Sequence, residues 1–210
     1  MNCRHMLAAL LMLACSTTAI AQQVAAQESV GQATETQPAA PTTTAIPAEA
    51  RQFDFLIGRW QVEVHPKVSS LVAMIHGTPH IAGSWTAVRA ADGFGVVDDL
   101  RVVDGSGNPL SSNHSVRAYV AAEKQWKISA GDTAKKRDGE SHGQLHDGVM
   151  LLEGRYTDNE GNVTLTRTRY LDITAGSFRM QQDRSTDNGQ SWDENALTID
   201  ATRVTSAAGS

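Results

Sequence analysis

The sequence predicts an all-β fold, an antiparallel up-and-down barrel of about ten strands, and three observations carry that expectation. Short segments of alternating apolar and polar residues recur from Trp60 onward, each of a length typical of strands. Turn-forming sequences separate them: Asp92-Gly93, Asp104-Gly105-Ser106-Gly107-Asn108-Pro109, Asp147-Gly148, Asn159-Glu160-Gly161, Ala175-Gly176 and Asn188-Gly189. No helical period runs long enough for a major helix, so the strands must pack on one another. A meander of this length closes into a barrel or folds into a sandwich. Closure removes exposed edges, which favours the barrel.

The chain enters this pattern through Phe53-Asp54-Phe55-Leu56-Ile57-Gly58-Arg59-Trp60. Phe53, Phe55, Leu56 and Ile57 form an apolar cluster, Gly58 breaks it, and Trp60, Val62 and Val64 then alternate with Gln61, Glu63 and His65. That period of two marks a strand buried on one face. Further strands are expected over 71–76, 81–88, 94–103, 115–121, 125–130, 141–146, 149–156, 162–172, 177–184 and 196–204. On the last of these Leu197, Ile199 and Ala201 share a face with Arg203. Pairing of the first and last strands would bring Arg203 over Trp60 as a cation–π contact that closes one end of the barrel.

Residues 1–21 read as an export signal. Arg4 and His5 precede an apolar run from Met6 to Ala14, and Ala19-Ile20-Ala21 offers a small-x-small cleavage site before Gln22. The expected location is therefore periplasmic or secreted. Lipidation at Cys15 is the alternative, although the residues before it fit such a site poorly. Residues 22–49, rich in Ala, Gln, Thr and Pro, lack the apolar side chains to offset the entropy of ordering and are expected to be a disordered leader. Residues 50–205 form the barrel domain. Both cysteines, Cys3 and Cys15, fall within the signal, so the exported domain would have neither a disulfide nor a thiolate. No later run approaches the length of a membrane-spanning helix.

The 23 acidic and 18 basic residues leave a net charge of −5, and loss of Arg4 with the signal makes it more negative. No basic stripe is present, so no nucleic-acid partner is expected. The cluster Lys135-Lys136-Arg137, followed by Asp138 and Glu140, reads as a solvated turn.

Gly58-Arg59-Trp60 at the head of the first strand, with an arginine on the last, resembles the Gly-x-Trp signature of the calycin superfamily. That group includes lipocalins, fatty-acid-binding proteins and nitrobindin-like barrels. The opening from Phe53 to Trp60 is similar to that of a family of exported bacterial proteins of unassigned function. Ser115-Val116-Arg117-Ala118-Tyr119 before Trp126, Met150-Leu151-Leu152-Glu153-Gly154, and Ser185 to Trp192 match it as well. The likeness spans about residues 53–204. It implies a calycin-like barrel with an interior cavity, and no activity.

Candidate functional residues follow from the same parity. A barrel of about ten strands is generally too wide to fill with side chains, so a cavity is expected. Trp85, Tyr119 and Trp126 would supply flat apolar wall for a small, mostly apolar ligand. Glu153 with Arg155, and Arg167 with Arg169, share faces on neighbouring strands. If those faces pointed inward, Arg167 would hold an acidic group; if outward, they would make cross-strand ion pairs. An enzyme, a hydrolase or isomerase with Glu153 or a histidine as base near Arg167, is the alternative, and an envelope protein acting through its surface is a third. His142, Gln144 and His146 share one face, and His76 and His80 flank Pro79. These histidines read as polar rim residues, so no metal and no cofactor are expected, with zinc or iron the alternative if imidazoles converged. Ser185-Thr186-Asp187-Asn188-Gly189-Gln190-Ser191-Trp192 resembles an Asp box, a rigid hairpin turn capped by its aspartate.

Overall fold

The computed structural model describes residues 45–69, 74, 79 and 81–205. The expected signal, most of the expected leader, all but Met74 of the expected strand at 71–76, and both His76 and His80 lie outside the described residues. Ten antiparallel strands follow one another in order: β1 (Gly58–Pro66), β2 (Ile81–Arg89), β3 (Gly95–Val103), β4 (Pro109–Val120), β5 (Gln125–Asp132), β6 (Arg137–His146), β7 (Val149–Asp158), β8 (Val163–Leu171), β9 (Ser177–Ser185) and β10 (Asp193–Arg203). Each pairs with its sequence neighbours, and β1 pairs with β10, so the barrel closes without an edge. Among the described residues no helix is long and apolar enough to cross a membrane.

Two 3₁₀ turns, Ala48–Arg51 and Asp54–Leu56, cover one end of the barrel and bury Ala50, Phe53 and Leu56. Arg89 pairs with Asp54 and bonds the Ala50 carbonyl, which ties this cover to the end of β2. The seam between β1 and β10 is fastened at the same end. Trp60 and Arg203 are register partners, and the guanidinium carbon sits 4.0 Å from the Trp60 ring centroid. Arg203 also donates to the carbonyls of Ala175 (2.6 Å), Ile57 (2.8 Å) and Phe55 (3.0 Å), while Trp60 Nε1 donates to Leu56 O at 2.7 Å. Gly58 explains itself here. Its φ of +129° is one that side-chain-bearing residues rarely adopt, and a Cβ would collide with the Arg203 guanidinium.

Three strands begin earlier than the alternation alone implied. β4 starts at Pro109 because Asp104 closes the preceding turn, accepting from Ser106 N–H and Asn108 N–H, and the register slips between Val102 and Val103 to admit the extra residues. β10 starts at Asp193 through a second irregularity before Leu197. β6 starts at Arg137, which places part of the expected solvated turn on a strand. The Asp187 hairpin forms the expected capped turn. Asp187 accepts from Ser185 Oγ (2.7 Å), Ser191 N–H (3.0 Å) and Ser191 Oγ (2.5 Å), and these bonds hold its carboxyl down at about 2. Trp192 stacks outside the barrel, 3.9 Å from the Arg167 guanidinium carbon.

Candidate functional site

The barrel interior divides into a filled half and an open half. At the covered end Phe53 packs edge to face with Trp126 (4.8 Å between centroids) and Tyr170 (5.6 Å), Trp60 does so with Phe178 (4.8 Å), and a tilted Tyr170–Phe178 contact at 6.1 Å joins the two groups. Beneath the cluster lies a buried ion pair. Asp98 accepts from Arg117 Nε at 2.5 Å, Arg117 Nη2 at 3.2 Å and Trp85 Nε1 at 2.7 Å. Burial disfavours the Arg117 cation, but the Asp98 carboxylate and the Tyr170 hydroxyl outweigh it and hold the guanidinium above its ordinary pKa. Arg117 also faces the Phe53 ring at 4.9 Å. Trp85, Arg117 and Tyr170 are thus the floor of the open half.

Above that floor is a cavity of about 100 Å³. It exists because inward positions on β4 to β8 are small. Ser115, Ala130, Ser141, Gly154 and Thr168 occupy places where β9, β10 and β3 present Met180, Ile199, Leu197 and Leu100. Gly154 is tightly enclosed: a Cβ there would lie 2.6 Å from Thr166 Oγ1 and 3.0 Å from both Ser141 Cβ and the Tyr156 ring. Ile128 and Leu152 also line the cavity, so hydroxyls and apolar side chains alternate around its wall.

At the uncovered end the wall becomes charged. Lys135, Arg137 and Arg184 line the cavity with Asp132. Burial works against the Asp132 carboxylate, but the Ser111 hydroxyl (2.6 Å) and the backbone N–H groups of Ser112 and Lys135 hold it below the usual carboxylate range. The Lys135 side chain keeps 38% of its surface exposed, yet the burial of the rest pushes its amine down to about 8; the charge on Arg137, and less that on Arg184, adds to this against the pull of Asp132, 3.9 Å away. Burial and Arg137 likewise lower Arg184, against the weaker pull of Asp193.

The Lys135 amine has a consequence for stability. Its folded pKa near 8 lies below the ordinary lysine value of about 10.4, so between these pH values the unfolded chain holds more protons than the folded one. Stability contributed at this position therefore rises as pH increases from about 8 to about 10.4. Urea unfolding across that window should show the rise in the parent protein and its loss in Lys135→Met. A parent curve that parallels the variant would refute the assignment.

Of the residues expected to bind ligand, Trp85 reaches the cavity as part of its floor. Tyr119 and Trp126 do not line it. They pack against each other at the covered end, with Trp126 edge-on to Phe53 at 4.8 Å and its Nε1 donating to Gln52 Oε1. The strand parity was read correctly, but the cover turns fill the space above these rings. Arg167 lies on the outer face of β8, about half exposed, stacked on Trp192 and 3.9 Å from Glu153. The inward residues of β8 are Thr166, Thr168 and Tyr170, so the outward alternative holds for the Glu153 and Arg167 faces. His142, Gln144 and His146 are on the outer face of β6, since Ser141 and Gly143 take the inner one. The constellation of Glu153, histidine and Arg167 imagined for an enzyme is therefore outside the cavity. Among the described residues no group of three His, Cys, Asp or Glu side chains converges.

Arg137 and Arg184 were missed, and so was Lys135. Extending the β6 alternation backward from Ser141 through Gly139 puts Arg137 on the inward face, so that signal was present in the sequence. Arg184 follows Phe178, Met180 and Gln182 on the inward parity of β9.

No family model and no curated protein matches the chain. Similar solved structures include EF1p2_mFAP2b bound to DFHBI, 11% identical, covering 75% of this chain and all of that one with a TM-score of 0.39. Another is the redesigned β-barrel mFAP1, also bound to DFHBI, 11% identical over 73% of this chain and 99% of that one, TM-score 0.38. At this level the likeness bears on neither the ligand nor the activity of this chain.

Proposed function

We propose that this protein is an exported, calycin-like barrel that binds a small ligand in its interior, entering at the end opposite the 3₁₀ cover. The observation that carries the reading is the cavity of about 100 Å³ between the Trp85–Arg117–Tyr170 floor and the uncovered end. Cores are normally packed to the density of organic crystals, and a gap lined by both hydroxyls and apolar side chains suits a ligand with both kinds of surface. The expected mostly apolar ligand would satisfy Leu100, Ile128, Leu152, Leu197 and Ile199 but leave the Ser115, Ser141 and Thr168 hydroxyls unmatched. An amphipathic molecule of few heavy atoms fits both; a dry cavity of 150 Å³ is about enough for benzene. The calycin likeness is supported by the cluster of Gly58, Trp60 and Arg203 at the covered end. Export rests on the signal-like sequence of residues 1–21.

Native mass spectrometry of protein recovered from the envelope fraction of its producing cell tests both parts. The expected spectrum shows a chain beginning at Gln22 and extra mass that is lost on denaturation. Tryptophan emission, through Trp85 in the cavity floor, should shift when that ligand is added back. A bare chain whose emission no small molecule alters would overturn the binding reading. An unprocessed chain found in the cytoplasm would overturn export.

A further inference from the structure

The uncovered end of the cavity gathers three cations in a chain whose net charge is −5. The acids nearby are already engaged. Asp132 accepts from Ser111, Ser112 and its own turn. Asp158, the register partner of Arg137, accepts from Asn162 Nδ2 at 2.9 Å and from Glu160 N–H at 2.9 Å. Asp193, the register partner of Arg184, is held by Lys67 Nζ at 2.7 Å. Arg137 stacks on the Tyr156 ring at 5.3 Å, and its Nε is buried with no hydrogen-bond partner. Arg184 Nε donates to Gln182 Oε1, a neutral group.

An unpartnered guanidinium nitrogen held beside two further cations is costly unless something negative joins them. The charge balance indicates how negative. Asp98 neutralises Arg117 at the floor, Asp132 offsets one of the three cations at the mouth, and Asp193, shared between Lys67 and Arg184, offsets part of another, leaving an excess between one and two positive charges. The planar forks of the arginines suit oxygens in pairs, and Lys135 adds a point charge.

We propose that Lys135, Arg137 and Arg184 form a binding site for a small doubly charged oxyanion, a phosphate monoester or a dicarboxylate, at the uncovered end of the barrel. This rests on the interior-binding reading and names the ligand class. The oxyanion lies between the Arg137 and Arg184 forks, and any apolar part of the ligand points toward Leu197 and Leu100.

Calorimetric titration at low ionic strength with inorganic phosphate, succinate and hexanoate tests the site. Phosphate, succinate or both are expected to bind at pH 7, at least tenfold tighter than hexanoate; the better of the two identifies the source of the oxyanion. Arg137→Gln and Arg184→Met should each weaken binding at least tenfold. The charged groups facing the ligand are Lys135, Arg137, Arg184 and Asp132, with Asp158, Asp193 and the Tyr156 phenol next to them. Of the cations, Lys135 loses its charge first, so affinity for succinate, a dianion throughout, should fall from about pH 7 to about 9.5 in the parent and stay level in Lys135→Met, while for phosphate, which gains its second charge near neutrality, the parent should fall relative to Lys135→Met. Without ligand, Arg184→Met should leave the melting temperature unchanged or raise it by roughly 2–4 °C, since it removes a repelled charge and keeps the packing stem. A residue held there for structure alone would lower it.

Binding of hexanoate without phosphate or succinate overturns the dianion site and leaves interior binding standing. Binding of phosphate that survives both arginine substitutions overturns it as well, because the anion then sits elsewhere. If no probe binds and the protein from its own envelope carries no extra mass, the dianion site and the interior-binding reading fail together.

Discussion

Replacing Asp98 by Ala is expected to cost about 3–5 kcal/mol of unfolding free energy, because it strands a buried cation. Asp98 is 1% exposed and Arg117 4%, so water cannot take over the role of either partner. An arginine keeps its proton even when buried, so the Arg117 guanidinium cannot escape the cost by neutralising once Asp98 is gone. Three donors, Arg117 Nε, Arg117 Nη2 and Trp85 Nε1, lose their acceptor at once. Asp98→Asn keeps an acceptor for Trp85 but not the charge, and should fall between the two. The double variant Asp98→Leu/Arg117→Met should recover most of the loss, since replacing both partners of a buried pair with apolar groups is often neutral or stabilising. Urea unfolding of the parent, Asp98→Leu, Arg117→Met and the double variant closes the cycle that reads the coupling. A loss below about 1 kcal/mol for Asp98→Ala would mean that the pair is solvated, against its burial.

The barrel was legible because a period of two is a local signal, and closure was legible because Arg203 shares the apolar parity of Leu197, Ile199 and Ala201. The Arg203–Trp60 contact follows from those two facts once β1 meets β10. What parity does not contain is height along the barrel axis. Trp85, Tyr119 and Trp126 all point inward, yet the cover built by Phe53 and Leu56 claims the level of Tyr119 and Trp126 and leaves only Trp85 beside the cavity. Nor does parity say which of two faces is inner when both are polar. On β8 the inner face carries Thr166 and Thr168 while the outer carries Arg167 and Arg169, and only the pairing with β7 and β9 decides. Arg137 was hidden for a third reason. Charge clusters next to acids usually mark solvated turns, but the inward run Arg137, Gly139, Ser141, Gly143 has no bulky apolar residue to announce a strand.

Phe53→Ala should cost about 3–5 kcal/mol, as expected for removing a fully buried aromatic ring. Its ring is edge-on to Trp126 at 4.8 Å and to Tyr170 at 5.6 Å, and it faces Arg117 at 4.9 Å. The substitution thus opens a hole between the cover and the floor of the cavity. How the protein responds separates two physical pictures. If the cover is part of the cooperative core, the urea slope stays constant and the midpoint falls, with a drop in melting temperature of roughly 6 °C or more. If the cover instead detaches and the barrel survives, the slope falls, because less surface remains to be exposed on unfolding. Trp60 and Trp126 emission would then shift to the red in the native state. The bonds of Arg203 to Phe55 and Ile57, and of Trp60 to Leu56, tie the cover to the seam that closes the barrel. That linkage favours the first picture, since the cover cannot leave without freeing the closure of β1 on β10. An unchanged midpoint together with unchanged emission would show that Phe53 is dispensable, and with it the view that the residues before β1 complete the core.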